Sequence, residues 1–204
     1  MAEYILEAPL EEADVRKLKL EDTVLINGTI FGIRDATQIR IFDEGVEPPA
    51  DLSGSVCLHT APGVKKLPDG KYQKLSIGTT TSTRMDRFAP GLLEKYKVRA
   101  IVGKGGLLQG SLDAMHKFGA VYLAIVGGAA AIETCQIEEI EEVWWEDLMP
   151  ECLWKFRVRN FGPLVVAMDS QGHSLYRDVQ QRAAGKIAQL TFDELPDSPG
   201  CGTS

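Results

Sequence analysis

The sequence is poor in the groupings that most directly announce a chemistry. Its four cysteines, Cys57, Cys135, Cys152 and Cys201, lie far apart and form no C-x-x-C pair. That spacing leaves no zinc ribbon and no self-contained iron–sulfur ligand run, and reduced, mostly buried thiols are expected instead. His59, His116 and His173 stand at spacings that suit no shared metal, so no metal ligand is assigned to the chain. G-x-G-x-x-G is missing, and with it any support for a Rossmann dinucleotide site. No apolar run approaches a membrane span. The start, M-A-E-Y-I-L-E-A-P-L-E-E, has neither the positive beginning nor the apolar middle of a signal peptide; a cytoplasmic protein is expected. Basic charge is scarce too. With a net charge of -7 and a pI near 5.1, and without a basic stripe, the chain is not expected to bind nucleic acid.

What is present is ordinary globular material: 204 residues, 44% hydrophobic and 25% charged, without internal repeats or low-complexity runs. This composition predicts one folded domain over residues 1–190 and a frayed tail over 191–204, which ends D-S-P-G-C-G-T-S. Local patterns predict a helix over Ala8–Leu20, a glycine-broken strand over Thr23–Ile33 and a helix over Ala36–Phe42 capped by Asp35. A strand over Leu52–Leu58 follows, then a hairpin between the turns at Pro62-Gly63 and Leu67–Gly70, and a strand over Tyr72–Ile77. Further on come a helix over Pro90–Lys97, a strand over Val98–Val102, a helix over Leu112–Phe118 and a buried strand over Ala120–Val126. G-G-A-A-A at Gly127–Ala131 reads as a turn into a helix and as either a pocket wall or a close-packing device. The acidic run Glu138–Glu142 reads as a solvated edge more readily than as a metal face. Strands over Trp154–Val158 and Leu164–Met168, separated by N-F-G-P, and a helix over Leu175–Ile187 complete a mixed α/β layered fold.

One stretch is chemically dense. Ser76–Phe88, S-I-G-T-T-T-S-T-R-M-D-R-F, sets Thr79, Thr80, Thr81 and Ser82 beside Arg84, and V-G-K-G-G places Lys104 among glycines. Hydroxyls, a planar guanidinium and a mobile ammonium together suit an anion, although a threonine-rich strand end with two solvated cations has the same composition. Arg34 stands where a strand passes into a helix N-terminus, and there it either meets an anion or pairs with Asp35.

Taken in order, R-D-A at Arg34, H-T-A-P at His59, the Thr/Arg stretch, V-G-K-G-G, G-G-A-A, E-E-I-E-E-V-W-W and F-G-P-L resemble the β subunit, or C-terminal domain, of the iron–sulfur hydro-lyases. That family includes class I fumarate hydratase and L-tartrate dehydratase. The resemblance covers roughly residues 12–169. Thr79 stands where the family commonly has proline, and Ala61-Pro62 where Gly-Pro is usual. It implies a swivelling β/β/α domain that covers a [4Fe–4S] cluster held by a separate α subunit, in a hetero-oligomer of α and β chains acting on a C4 dicarboxylate. Thr80, Arg84 and Lys104 match catalytic positions of the family, and Arg34 and Thr81 match substrate-binding positions. Thr80 then either removes the proton next to a carboxylate, its alkoxide stabilised by adjacent cations, or only positions the substrate. His59 either meets a second substrate hydroxyl or is a structural histidine. Fumarate hydration to malate is the expected reaction. The alternatives are dehydration of L-tartrate to oxaloacetate and a non-catalytic dicarboxylate-binding module.

Overall fold

The computed structural model describes residues 1–126, 128 and 130–187. The expected tail over 191–204, Cys201 and residues 127 and 129 of the G-G-A-A-A turn lie outside the described residues. The chain is a mixed α/β fold whose main sheet runs β1-β2-β3-β6-β7-β9-β8, with a further pairing between β2 and β9. These are β1 Glu3–Ala8, β2 Thr23–Ile33, β3 Val56–His59, β6 Ala100–Gly103, β7 Val121–Ala124, β8 Ile137–Trp144 and β9 Leu153–Met168. The β2–β9 pairing closes β2, β3, β6, β7 and β9 on themselves, because the 16-residue β9 is long enough to run along β2 and then reach β7. A separate hairpin joins β4 Gly63–Lys66 to β5 Tyr72–Ser76.

Alternation within the short parallel strands explains why they read as continuous apolar runs. Val56 and Leu58, Ala100 and Val102, and Val121 and Leu123 point into one core with Ile26, Ile30 and Phe156. Their alternates Cys57, Ile101 and Tyr122 point into a second core. There they meet Leu92 and Leu93 of α3 Ala89–Lys95, and Leu112 and Met115 of α4 Gln109–Phe118. A strand covered on both faces has no polar side to show.

β2 and the last helix, α6 Leu175–Ile187, occupy the predicted residues. The N-terminal prediction fails. Ala8 ends a strand, β1, paired in parallel with residues 23–28 of β2, and the helix is only α1 Glu12–Arg16. Pro9 breaks the local pattern there, and the edge of β2 offers backbone partners that local sequence does not reveal. The predicted break at N-F-G-P also fails, since β9 runs through it. The irregularity is absorbed as a bulge opposite β2, with Asn160 at φ 48° and Gly162 at φ 142°. After β2, Asp35 is the first residue of α2 Asp35–Phe42 rather than its cap, a place taken by Arg34 in extended geometry.

The acidic run forms β8, an edge strand. Its carboxylates pair across to β9: Glu141 with Arg157 at 2.6 Å and Glu142 with Lys155 at 2.7 Å. The edge is solvated, as the sequence predicts, and the structure adds that its charges are paired across the ladder.

Candidate functional site

Because β2, β3, β6 and β7 are mutually parallel neighbours, their C-terminal ends emerge on one side of the sheet. Parallel sheets characteristically present ligand-binding loops at that side. β2 ends at Ile33 and delivers Arg34; β3 ends at His59; β6 ends at Gly103 and delivers Lys104. The segment after β5 crosses these ends, held by main-chain bonds. Thr80 N–H donates to the His59 carbonyl at 2.8 Å, and Ser82 N–H donates to the Lys104 carbonyl at 2.8 Å. Thr60 bridges to Thr79, and Thr81 to Lys104. The sequence-predicted groups therefore converge although they span some seventy residues.

Their side chains form one linked array. Arg84, in a 3-10 turn over Ser82–Phe88, donates from Nη2 to both Asp35 Oδ2 and Thr80 Oγ1, each at 3.1 Å. Arg34 Nε reaches the same Asp35 oxygen at 3.3 Å and Glu151 Oε1 at 3.3 Å. Glu151 is itself held, its Oε2 accepting the Ala36 N–H at 2.8 Å and its carbonyl the Thr37 hydroxyl. One carboxylate, Asp35, thus holds two guanidiniums together, and Arg84 remains half exposed. Arg34 does pair with Asp35, and that pairing also brings it beside Arg84. Because Arg84 donates to the Thr80 oxygen, it favours the deprotonated form of that hydroxyl.

His59 lies beneath this face. Its side chain is fully buried, with Nδ1 2.9 Å from Ser82 Oγ, which also accepts the Tyr122 hydroxyl at 2.9 Å. Burial pushes the imidazole down to about 3, against a smaller opposing pull from Asp35, so the ring is neutral at physiological pH. What His59 contributes directly to the array is its carbonyl, which fixes Thr80.

The V-G-K-G-G glycines serve the protein's own packing. A Cβ on Gly103 would fall 2.0 Å from Ser82 Oγ, and one on Gly106, at φ +72°, 2.5 Å from the Tyr176 ring. The room expected for a ligand beside these two residues is filled by Ser82 and Tyr176. A cleft of about 250 Å³ lies behind this loop, lined by Thr83, Leu112, Tyr176 and Arg177 among others, but by none of Arg34, Thr80, Arg84 or Lys104. Those four residues gather instead where the segment after β5 crosses the strand ends.

Sequence reasoning missed Glu133, on α5 Ala130–Gln136. It is 1% exposed, and burial pushes its carboxyl up to about 7 despite the Thr79 N–H and the Lys104 charge. A lone acid in an apolar helix gives no local signal of such a partner. Asp35 and Glu151 were legible only as a helix-start acid and a loop acid.

Among the described residues the donor set does not suit an iron–sulfur cluster. Among the described residues no three histidine, cysteine or carboxylate groups are placed to hold a metal. Burial pushes the Cys57 thiol up to about 12 and the Cys152 thiol up to about 11, the opposite of what a thiolate ligand needs. Cys135 is exposed. No helix among the described residues is long and apolar enough to cross a membrane.

A family model described as Fumarase C-terminus matches residues 2–179. The chain is 38% identical over 186 residues to a putative L(+)-tartrate dehydratase subunit beta of Methanocaldococcus jannaschii, covering 89% of this chain and 95% of that protein. It is 37% identical over 172 residues to the L(+)-tartrate dehydratase subunit beta of Escherichia coli (strain K12), covering 84% and 85%. It is 38% identical over 189 residues to a putative fumarate hydratase class I of Geobacillus stearothermophilus, covering 91% of this chain but 36% of that longer protein. The chain belongs to the fumarase C-terminus family.

Proposed function

We propose that this chain is the β subunit of a [4Fe–4S]-dependent hydro-lyase that hydrates fumarate reversibly to malate, with the cluster held by a separate α subunit. The observation that carries this reading is the array itself. Two arginines from different elements are fixed by one carboxylate, and Arg84 donates to Thr80 Oγ1 on an open face that also carries Lys104. A dicarboxylate brings two negative charges. Guanidinium forks bind carboxylates with defined orientation, which an isolated surface cation does not achieve.

In this reading Arg34 and Arg84 orient the substrate carboxylates, with Thr81 beside them. Thr80 exchanges the proton on the carbon next to a carboxylate, and Arg84 and Lys104 offset the negative charge that its oxygen acquires. His59 acts through its backbone and its bond to Ser82. Among the described residues no donor set suits the cluster; bound by the α subunit, it would supply a Lewis acid. The openness of the array fits a face completed by a partner, on which residues 1–190 act as one swivelling domain with 191–204 as a tail, in a cytoplasmic α/β hetero-oligomer.

Dehydration of L-tartrate to oxaloacetate is the second reading. It is favoured by the two tartrate dehydratase β subunits that the chain matches over most of their length. Both substrates share the carboxylates that the arginines bind, so selection falls to whatever meets the second hydroxyl. Side-by-side kcat/KM values for fumarate, malate and both tartrate enantiomers, on the anaerobically assembled α/β complex, decide between them. A clear preference for L-tartrate overturns the fumarate reading. Robust hydratase activity of this chain alone, without iron, overturns the subunit reading.

A further inference from the structure

Arg34 binds a substrate carboxylate in the proposed reaction, yet strand β2 fixes only its Cα. The end of its long, flexible side chain works through the direction of a planar fork, which something else has to set. Asp35 alone holds it poorly, since the oxygen that meets Arg34 Nε at 3.3 Å also accepts Arg84 Nη2 at 3.1 Å. Glu151 supplies a second acceptor from another part of the fold. Its Oε1 lies 3.3 Å from the same Nε. Its Oε2 accepts the Ala36 N–H at 2.8 Å, at the start of a helix whose N-cap, Arg34, makes no side-chain capping bond of its own. The turn that carries this carboxylate is pinned. Glu151 N–H donates to the Leu148 carbonyl at 2.8 Å, the Pro150 carbonyl accepts Nε1 of the buried Trp154 at 3.0 Å, and the Glu151 carbonyl accepts the Thr37 hydroxyl.

We infer that Glu151 is a positioning residue of the site: held by the turn between β8 and β9, its carboxylate anchors Arg34 at Nε, so that the two Nη groups, which make no hydrogen bond among the described residues, present a fixed edge to a substrate carboxylate. Paired N–H donors on such an edge match the two oxygens of one carboxylate. The anchor has an electrostatic cost. A negative charge beside a site for a dianion weakens the attraction of the substrate, whereas a correctly aimed fork acts on the chemical step. Removing the charge therefore separates the two effects. Glu151→Gln is nearly isosteric, and its amide oxygen still accepts the Ala36 N–H, but its NH2 group is a donor and cannot accept from Arg34.

Only the kinetic arm of the test rests on the proposed function. In the full chain labelled with ¹⁵N-arginine, the Nε–H signal lost in Arg34→Lys is followed by NMR for exchange with solvent. The Nε–H of Arg157, which donates to Glu141 at 2.8 Å on the β8–β9 edge, is the control. Exchange at Arg34 faster by about fivefold or more in Glu151→Gln, with Arg157 unmoved, supports the proposal. No acceleration, or equal acceleration of both signals, overturns it in favour of a purely structural role. In the assembled α/β complex, Glu151→Gln should lower kcat by about tenfold without raising KM, and Glu151→Asp should recover part of the loss. Wild-type kcat in Glu151→Gln, whatever its KM, also overturns the proposal. Absence of hydro-lyase activity in the wild-type complex counts instead against the proposed function, and the exchange measurement then decides this inference.

Discussion

Two regions of the molecule are rich in charge and use it differently. Along the β8–β9 edge, Glu141 and Glu142 face Arg157 and Lys155 across the ladder, each cation matched by a carboxylate near solvent. At the ends of the parallel strands, Arg34 and Arg84 share Asp35, Arg34 draws further on Glu151, and the backbone of Lys104 is bridged to Thr81. The edge is saturated. The site keeps positive capacity in reserve, and an array with spare donors is what an anionic ligand can complete.

The sharpest way to break that comparison is to remove the spare cations. Arg34→Ala, Arg84→Ala or Lys104→Ala in the assembled complex should each lower kcat/KM by about 10–150-fold, the kinetic equivalent of a charge-assisted contact of about 1.5–3 kcal/mol. Wild-type kcat/KM in all three variants would show that the site lies elsewhere.

Glu133 tests the difference through stability. Its folded carboxyl sits near 7 against an ordinary 4.5, so between these values the folded state holds a proton that the unfolded state has released. The wild type therefore loses stability as the pH rises from about 4.5 to 7, and the full cost persists above that. Glu133→Gln has no such loss. Its advantage in urea unfolding should be about 2–3 kcal/mol at pH 8 and vanish by about pH 4. Equal stabilities at pH 8 would mean that the carboxylate is better solvated or better paired than its surroundings indicate.

A purely structural contrast comes next. Gly106→Ala forces a side chain onto a left-handed residue and into the Tyr176 ring; a loss of about 1–3 kcal/mol is expected, read as a lowered Tm. A variant as stable as the wild type would show that α6 and the loop give way easily. The smallest effect belongs to the edge. Glu142→Gln removes one partner of an exposed, salt-screened pair and should change stability by less than about 0.5 kcal/mol while leaving kcat/KM unaltered. A loss comparable to that of Arg84→Ala would erase the distinction between the two regions.

Much of this was legible in advance, and what was not has a common cause. The extents of β2 and α6 follow from local pattern, as does the solvated nature of the acidic edge. The candidate site side chains were picked out by type, since threonines, an arginine and a lysine among glycines suit an anion. β1 was missed because its hydrogen-bond partner lies some twenty residues away, and β9 was wrongly split because the bulge that carries it past Gly162 exists only against β2.

By itself, then, the sequence determined which residues have the chemistry for an anion and roughly which segments carry them, because side-chain type and short-range periodicity are local properties. Only the tertiary structure decided that Asp35 joins Arg34 to Arg84, that His59 is sealed beneath the face and bound to Ser82, and that Ser82 and Tyr176 fill the room beside Gly103 and Gly106. It alone turned Glu133 from one acid in a short helix into a buried carboxyl whose protonation is favoured by burial. Burial and pairing depend on residues that the chain brings together from afar, and a protonation state follows from them rather than from the residue alone.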